Sequence, residues 1–356
     1  MSNPLVLTCD IGTQSARALL VDPDGRIVDV VQSKYAEPYF SKEPGWAEQK
    51  PDFYFDRLCE CCRELCARSN ALLPDVIAMT ITVIRDTVVC LDENNNPLRD
   101  IILWLDKRSV DPNGAMPAKN MMVFKLAGME PTAKVVYAAS AGNWIMRHEP
   151  EIWARTAKYV MLPTYLNYKL TGNLIDSASN QIGHIPFDYK NRRWMKPGSL
   201  TRCFCDVPNE KLCDLVPSGT VIGTVTEEVC ALTGTPAGLP LISTGSDKGC
   251  ETLGLAVVDS DKASISLGTT ATIQFSTTQY VEPQQFLPAY PGVLNDHYNP
   301  EIEIYRGLWL LSWFVKEFGT ADAIDAKEMG MAPEALLDQR IRDLPAGSDG
   351  LLLQPY

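Results

Sequence analysis

Near its start the chain reads Asp10-Ile11-Gly12-Thr13-Gln14-Ser15, which places a carboxylate, a glycine and three hydroxyl or amide side chains between two apolar runs. Asp-Gly or Asn-Gly alone closes a tight hairpin, so the extra polar groups mark this tip as a place where something binds. Glycine lets backbone N–H groups approach a ligand closely, and Thr and Ser hydroxyls add donors. Together they suit the oxygens of a phosphate. The stretch "SISLGTTATIQF" repeats the design, with Gly268-Thr269-Thr270 at its tip. One Gly-Thr turn is most often only a turn; two, with an acid leading the first, suggest a clamp on one ligand. Asp10 ends its strand where it can orient magnesium or the waters around it, since hard cations prefer oxygen. Arg17 supplies positive charge from the next strand. The G-x-x-x-x-G-K-[ST] pattern and a G-x-G-x-x-G after a strand are both missing.

Asp247 is the candidate for proton transfer. It follows the apolar run "LPLIST" and precedes "KGCETLGLAV"; a carboxylate there can accept the proton of an attacking hydroxyl. An equally weighted reading makes it the N-cap of the following helix. Arg85-Asp86 interrupts an apolar stretch with donors beside acceptors, a combination that suits several sugar hydroxyls. Trp46 or Trp104 can cover an apolar sugar face, and Asp106 completes this set near strand ends. Taken singly, a Trp is usually core and an Arg-Asp pair is usually surface charge.

These residues need elements to hold them. Leu5 to Cys9 and Ala18 to Val21 read as strands, and Asp24-Gly25 turns the chain into a third. "EPGWAEQKPDFYFDRLCECCRELCARS" reads as a loop, a proline at a helix start and an amphipathic helix to about Ser69. "DVIAMTITV" is a buried strand, "TVVCLDENNNPL" a strand and turn, and "RDIILWLDKRS" one more strand. From about Pro112 to Gly219 the chain reads as helices and loops, with "PEIWARTAKYVMLPTYLNYKLTG" the clearest helical portion. A second strand series starts near Val221. Apolar strands with crossover helices imply an α/β layer fold, and the repeated hairpin suggests two related domains facing one cleft.

At 356 residues and 46% hydrophobic, the chain can bury two cores. No run approaches the roughly 18 apolar residues of a membrane span, and the expected location is cytoplasmic. A net charge of -12 argues against nucleic acid or an anionic membrane as partner. Eleven cysteines match no metal spacing. Cys59, Cys62 and Cys66 share one helical face, the placement of buried thiols in a reducing compartment. His148, His184 and His297 lie too far apart in sequence to suggest zinc or a His-based triad.

In order along the chain, "CDIGTQSARALLVDPDG", "GWAEQKP", "ILWLDKRS", "EIWARTAKYVMLPTYLNYKLTG", "STGSDKGCETLGL" and "SISLGTTATI" resemble the FGGY carbohydrate kinases, the family of glycerol kinase and xylulokinase. The resemblance implies a duplicated α/β fold, an actin-like ATPase with RNase H-like domains that close on ATP and a sugar or polyol. Divided here, they are an N-terminal sugar-binding domain over 1–219 and a partial ATP-binding domain over 220–356. It implies Asp10 as the magnesium-site acid, Gly12, Thr13, Gln14 and Ser15 as the first phosphate loop, Gly268, Thr269 and Thr270 as the second, and Asp247 as general base. Arg85-Asp86 occupies the place of an Arg-Glu pair that grips hydroxyls in members resembling glycerol kinase, where members resembling xylulokinase carry a Met-His type segment, so the resemblance favours a polyol-type grip, with Asp reaching less far than Glu. The implied reaction is transfer of the γ-phosphoryl group of MgATP to a primary hydroxyl. Members of the family usually run well past the segment matching "GSDGLLLQPY", so the second domain is expected to be incomplete and kinase activity weak or absent. The alternatives are a phosphohydrolase of the same fold and a non-catalytic sugar-binding or regulatory protein. A homodimer is the expected assembly.

Overall fold

The computed structural model describes residues 4–353 apart from 269, 286, 305 and 306. Its main sheet is built around the opening hairpin. Strands β1 (Leu5–Ile11), β2 (Ser15–Val21) and β3 (Ile27–Lys34) form an antiparallel meander. Helix α1 (Pro51–Arg68) then crosses back and delivers β4 (Val76–Val83) parallel to β1. Two later strands, β5 (Val221–Thr224) and β6 (Pro240–Ile242), finish the sheet, in the order β5-β6-β4-β1-β2-β3.

Two strands after the 219/220 division belong to this sheet. The strands read as the start of a second domain pair instead with the first: β6 runs parallel to β4, matching Leu241 to Met79 and Ile242 to Thr80. Periodicity identifies a strand but not its sheet, because a parallel neighbour arrives through a crossover from anywhere in the chain.

The two faces of β1 differ. Leu5, Leu7, Cys9 and Ile11 are buried, while Val6, Thr8 and Asp10 between them are only partly covered. The buried row packs on α1, whose Tyr54, Leu58, Cys62 and Leu65 are completely enclosed. At about 1.5–3 kcal/mol for each large apolar side chain fully buried, this face anchors the domain. Pro51 at the first helical position and Asp52 in the first turn favour the start of α1. All eleven cysteines are free thiols, and Cys59, Cys61, Cys62 and Cys66 are buried, as their helical spacing predicts for three of them. On the opposite face Thr8 pairs with Thr80, and Thr82 meets Cys250 of helix α4 (Asp247–Gly254).

Helix α2 (Leu162–Thr171) and helix α3 (Glu227–Thr233) pack beside α1. The stretch read as the clearest helical portion is split. Lys158–Met161 is a strand that pairs with Val88–Leu91, between the helices Pro150–Arg155 and Leu162–Thr171. Tyr159 and Val160 favour extended backbone, and the open edge of Val88–Leu91 fixes the choice. The strand expected through Trp104 is only Ile101–Ile102; Trp104 to Arg108 form a loop.

A separate three-stranded sheet follows, β7 (Ser264–Leu267), β8 (Ala271–Gln274) and β9 (Glu301–Ile304). Three further helices, α5 (Trp309–Glu317), α6 (Thr320–Glu328) and α7 (Pro333–Ile341), pack on one another at the end of the described chain.

Candidate active site

The β1–β2 tip is tight, with Gly12 N–H donating to Ser15 O at 3.0 Å. The β7–β8 tip closes in a similar way, Gly268 N–H to Thr270 O at 2.9 Å. Gly307 lies against this second tip so closely that a Cβ there would sit 2.4 Å from Thr270 O. Gly12 to Ser15, Gly268 and Thr270 all line one cavity of about 1380 Å³, as do Arg85, Asp86, Trp104, Asp106 and Asp247. Thr269 lies outside the described residues.

Asp247 opens α4, but it is not the cap. Ser246 caps that helix, its Oγ accepting from Gly249 N–H at 3.2 Å, which frees Asp247 to face the cavity. Its Oδ1 accepts only the adjacent Lys248 N–H among hydrogen bonds of the described residues. Burial pushes the Asp247 carboxyl above the ordinary carboxylate range, against the pull of Arg85 and Lys248. The carboxyl of Glu303, also on the cavity wall, is raised by burial too.

Arg85 and Asp86 both reach the cavity with their polar ends already engaged. Arg85 holds Glu301 of β9 through two bonds of 3.0 and 2.5 Å and lies 5.3 Å from the centre of the Tyr290 ring. Burial opposes the Arg85 charge, but Glu301 more than restores it. Glu301 also accepts from Gln274, whose Oε1 accepts from Thr252 of α4 at 2.6 Å. A continuous polar chain therefore links Arg85 to the helix that carries Asp247. Asp86 takes a left-handed backbone conformation, φ 49°, and both its oxygens accept from His184: Oδ1 from the backbone N–H at 3.0 Å, Oδ2 from Nδ1 at 2.8 Å. Sequence reasoning set His184 aside; its signal was the Gly183-His184 step after a polar run.

The remaining site candidates divide. Trp104 donates its indole N–H to Thr13 Oγ1 at 2.9 Å, tying the first tip to the opposite wall. Asp106 accepts from Arg108 and from Ala47 N–H with both oxygens, so it braces the wall instead of offering a free group to a sugar. Trp46 is not on the cavity wall: it stacks with Arg108, 3.9 Å away, and meets Trp144 edge-on. Asp10 and Arg17 are not on the wall either. They pair across the hairpin at 2.6 Å, which the antiparallel register, matching residue 10 to residue 17, makes unavoidable. Asp10 nonetheless shares a face of β1 with Thr8, and both it and Asp247 add to the burial that raises the Cys250 thiol. Among the described residues no group of three His, Cys, Asp or Glu side chains is arranged to hold a metal.

Residues 5–254 match the model of the FGGY family of carbohydrate kinases, N-terminal domain. The chain belongs to that family. Among curated relatives of this FGGY chain, the uncharacterized sugar kinase YgcE of Escherichia coli (strain K12) is 25% identical over 353 residues, covering 99% of this chain and 64% of its own length. The xylulose kinase of Bacillus subtilis (strain 168) is 24% identical over 364 residues, covering 99% and 67%. The chain thus spans about two thirds of the length of these relatives. In fold it resembles the crystal structure of gluconate kinase from Lactobacillus acidophilus, with a TM-score of 0.79 and 22% identity over 100% of this chain and 69% of that one. The fold is the mixed α/β, actin-like one of these kinases. Among the described residues no helix is long and apolar enough to cross a membrane.

Proposed function

We propose that this FGGY chain takes part in ATP-dependent phosphorylation of a primary hydroxyl of a sugar or polyol, with Asp247 as general base. One observation carries the reading: a single cavity gathers both glycine tips, Arg85, Trp104 and Asp247 from segments scattered over the chain. At the tips Gly12 to Ser15 and Gly268 to Thr270, the hydroxyls and the backbone N–H groups other than those of Gly12 and Gly268, which close the turns, hold phosphate oxygens. Thr269 belongs with the second tip on sequence grounds. Asp247 accepts the proton of the attacking hydroxyl, and its raised pKa makes it a better acceptor near neutral pH than an ordinary Asp. Arg85, fixed by Glu301, neutralises charge beside it.

Asp10, off the cavity wall but two residues before the Gly12 tip, would hold magnesium with its waters through Oδ1, which Arg17 leaves free. Bound there, the ion would supply charge neutralisation on the phosphates. Arg17 is then the partner that holds Asp10 in place. The sheet β7-β8-β9 and the helices after it are, on this reading, part of a second actin-like half, and the substrate domain ends with α4 and not at 219. Closure of the halves keeps water from competing with the sugar hydroxyl. A cytoplasmic location is part of the same proposal.

The test is Asp247→Asn. Sugar binding by calorimetry is expected to persist while MgATP-dependent formation of sugar phosphate falls by roughly 10²–10⁴-fold. Turnover near that of the parent chain would remove Asp247 from this role.

A further inference from the structure

Resting on the carbohydrate-kinase reading, we propose that His184 Nε2 donates a hydrogen bond to the substrate, and that it selects sugars bearing a carbonyl or carboxylate oxygen over polyols that lack one.

The argument starts from Asp86. An ionised carboxylate only accepts hydrogen bonds. Left bare on the cavity wall, Asp86 would favour substrate hydroxyls that donate. Instead, Oδ1 is taken by His184 N–H and Oδ2 by Nδ1. When the ring is protonated, the pairing turns an accepting wall into one that donates. Because Oδ2 cannot give a proton, Nδ1 carries one, and Nε2 is the ring atom left for a ligand. Nε2 has no hydrogen-bond partner among the described residues, and His184 lines the same cavity as Asp247.

The surroundings show that the pair is built rather than incidental. Asp86 N–H donates to Ile182 O at 3.1 Å, joining the two loops through the backbone as well. Gly183, at φ 145°, leaves no room for a side chain, since a Cβ would fall 2.2 Å from Asp86 Oδ1. The Tyr189 hydroxyl bonds to both N–H and O of Gly183. Asp86 itself occupies a backbone region that few residues other than glycine adopt, and such positions cluster at functional sites.

Asp86 favours the charged ring, the form in which Nε2 carries a proton to donate. Burial disfavours the imidazolium, but the Asp86 carboxylate outweighs burial and raises His184 above its ordinary 6.5. Arg85 also acts on Asp86, while Tyr159, Tyr189 and Cys205 around it are pushed toward their neutral forms by burial. A charged donor meets a carboxylate or carbonyl oxygen roughly twice as strongly as a neutral pair meets.

The experiment is nucleotide-free calorimetry with D-gluconate, D-xylulose, xylitol and D-glucitol, so that it does not depend on turnover. The chain is expected to bind gluconate or xylulose about tenfold more tightly than the corresponding polyol at pH 6.5, and the preference is expected to shrink as pH rises through the raised His184 pKa. His184→Phe is expected to erase the preference. His184→Gln, which keeps an amide donor, is expected to retain part of it and to preserve the fold, as followed by thermal melting. Equal binding of acids, ketose and polyols, an unchanged preference in His184→Phe, or failure of both gluconate and xylulose to bind would overturn the proposal. A preference that persists without any MgATP-dependent phosphate transfer would count against the kinase reading and leave this one standing.

Discussion

Asp176 and Asp247 are both carboxylates raised by burial, yet their surroundings give them different work. Asp176 is fully enclosed, and Thr164, Asn167, Asn180, Gln181 and the Ser177 N–H donate to it without a cation. Burial lifts it from 3.8 to about 6. A carboxyl whose folded pKa is raised binds more protons folded than unfolded between those values, so stability falls as pH climbs from 3.8 through about 6. The loss is on the order of 3 kcal/mol. Asp176→Asn is expected to flatten this slope, gaining stability relative to the parent chain between pH 4 and pH 7 in urea titrations. The His184–Asp86 pair depends on pH in both directions, His184 with the same sign as Asp176 and Asp86 with the opposite one. With His184 raised, its share of stability is full below 6.5 and is lost as pH rises through its folded pKa; with Asp86 lowered, its share is present above 3.8 and is lost as pH falls through its folded value. Gly183→Ala is expected to break this pair and lower sugar affinity by at least tenfold in calorimetry, since its Cβ meets Asp86. At this scale the sequence showed which residue types sit at the two tips. It left Asp247 divided between base and helix cap, because both uses demand the same residue at the same strand-to-helix step, and the Ser246 hydroxyl bond shows that the cap is Ser246.

The sheet β7-β8-β9 is amphipathic in an inverted sense. Register aligns Ile265 with Ile273 and Ile273 with Ile302 on one face, and Ser264, Gln274 and Glu301 on the other. The polar face is the buried one, turned toward α4 and the cavity, while Ile265 and Ile302 are 61% and 57% exposed. Alternation in the sequence shows that each strand has two faces, but it cannot tell which is covered. Glu301 gains its meaning from this arrangement. Glu301→Ala strands the largely buried Arg85 charge and is expected to cost about 3–5 kcal/mol in chemical denaturation, with Glu301→Gln costing less. The strand Lys158–Met161 makes a related point, since a partner edge decided between helix and strand where periodicity allowed both.

For the molecule as a whole, the five residues Ile265, Leu267, Ile273, Ile302 and Ile304 form an exposed apolar patch on one side of the second sheet. This chain is expected to bind a hydrophobic dye such as ANS there, and Ile265→Thr with Ile302→Thr to reduce the fluorescence without disturbing sugar binding. The amino-acid sequence by itself determined the glycine tips, the buried cysteine face of α1 and the strands of the opening hairpin, because each depends on spacing within a few residues. Tertiary structure alone decided that β5 and β6 belong to the first sheet, that Asp86 is spent on His184, and that Arg85 is held by Glu301. The last two pairings join residues 98 and 216 positions apart. Their energies depend on burial and on distances that come into being only when remote segments pack together, and no local pattern encodes them.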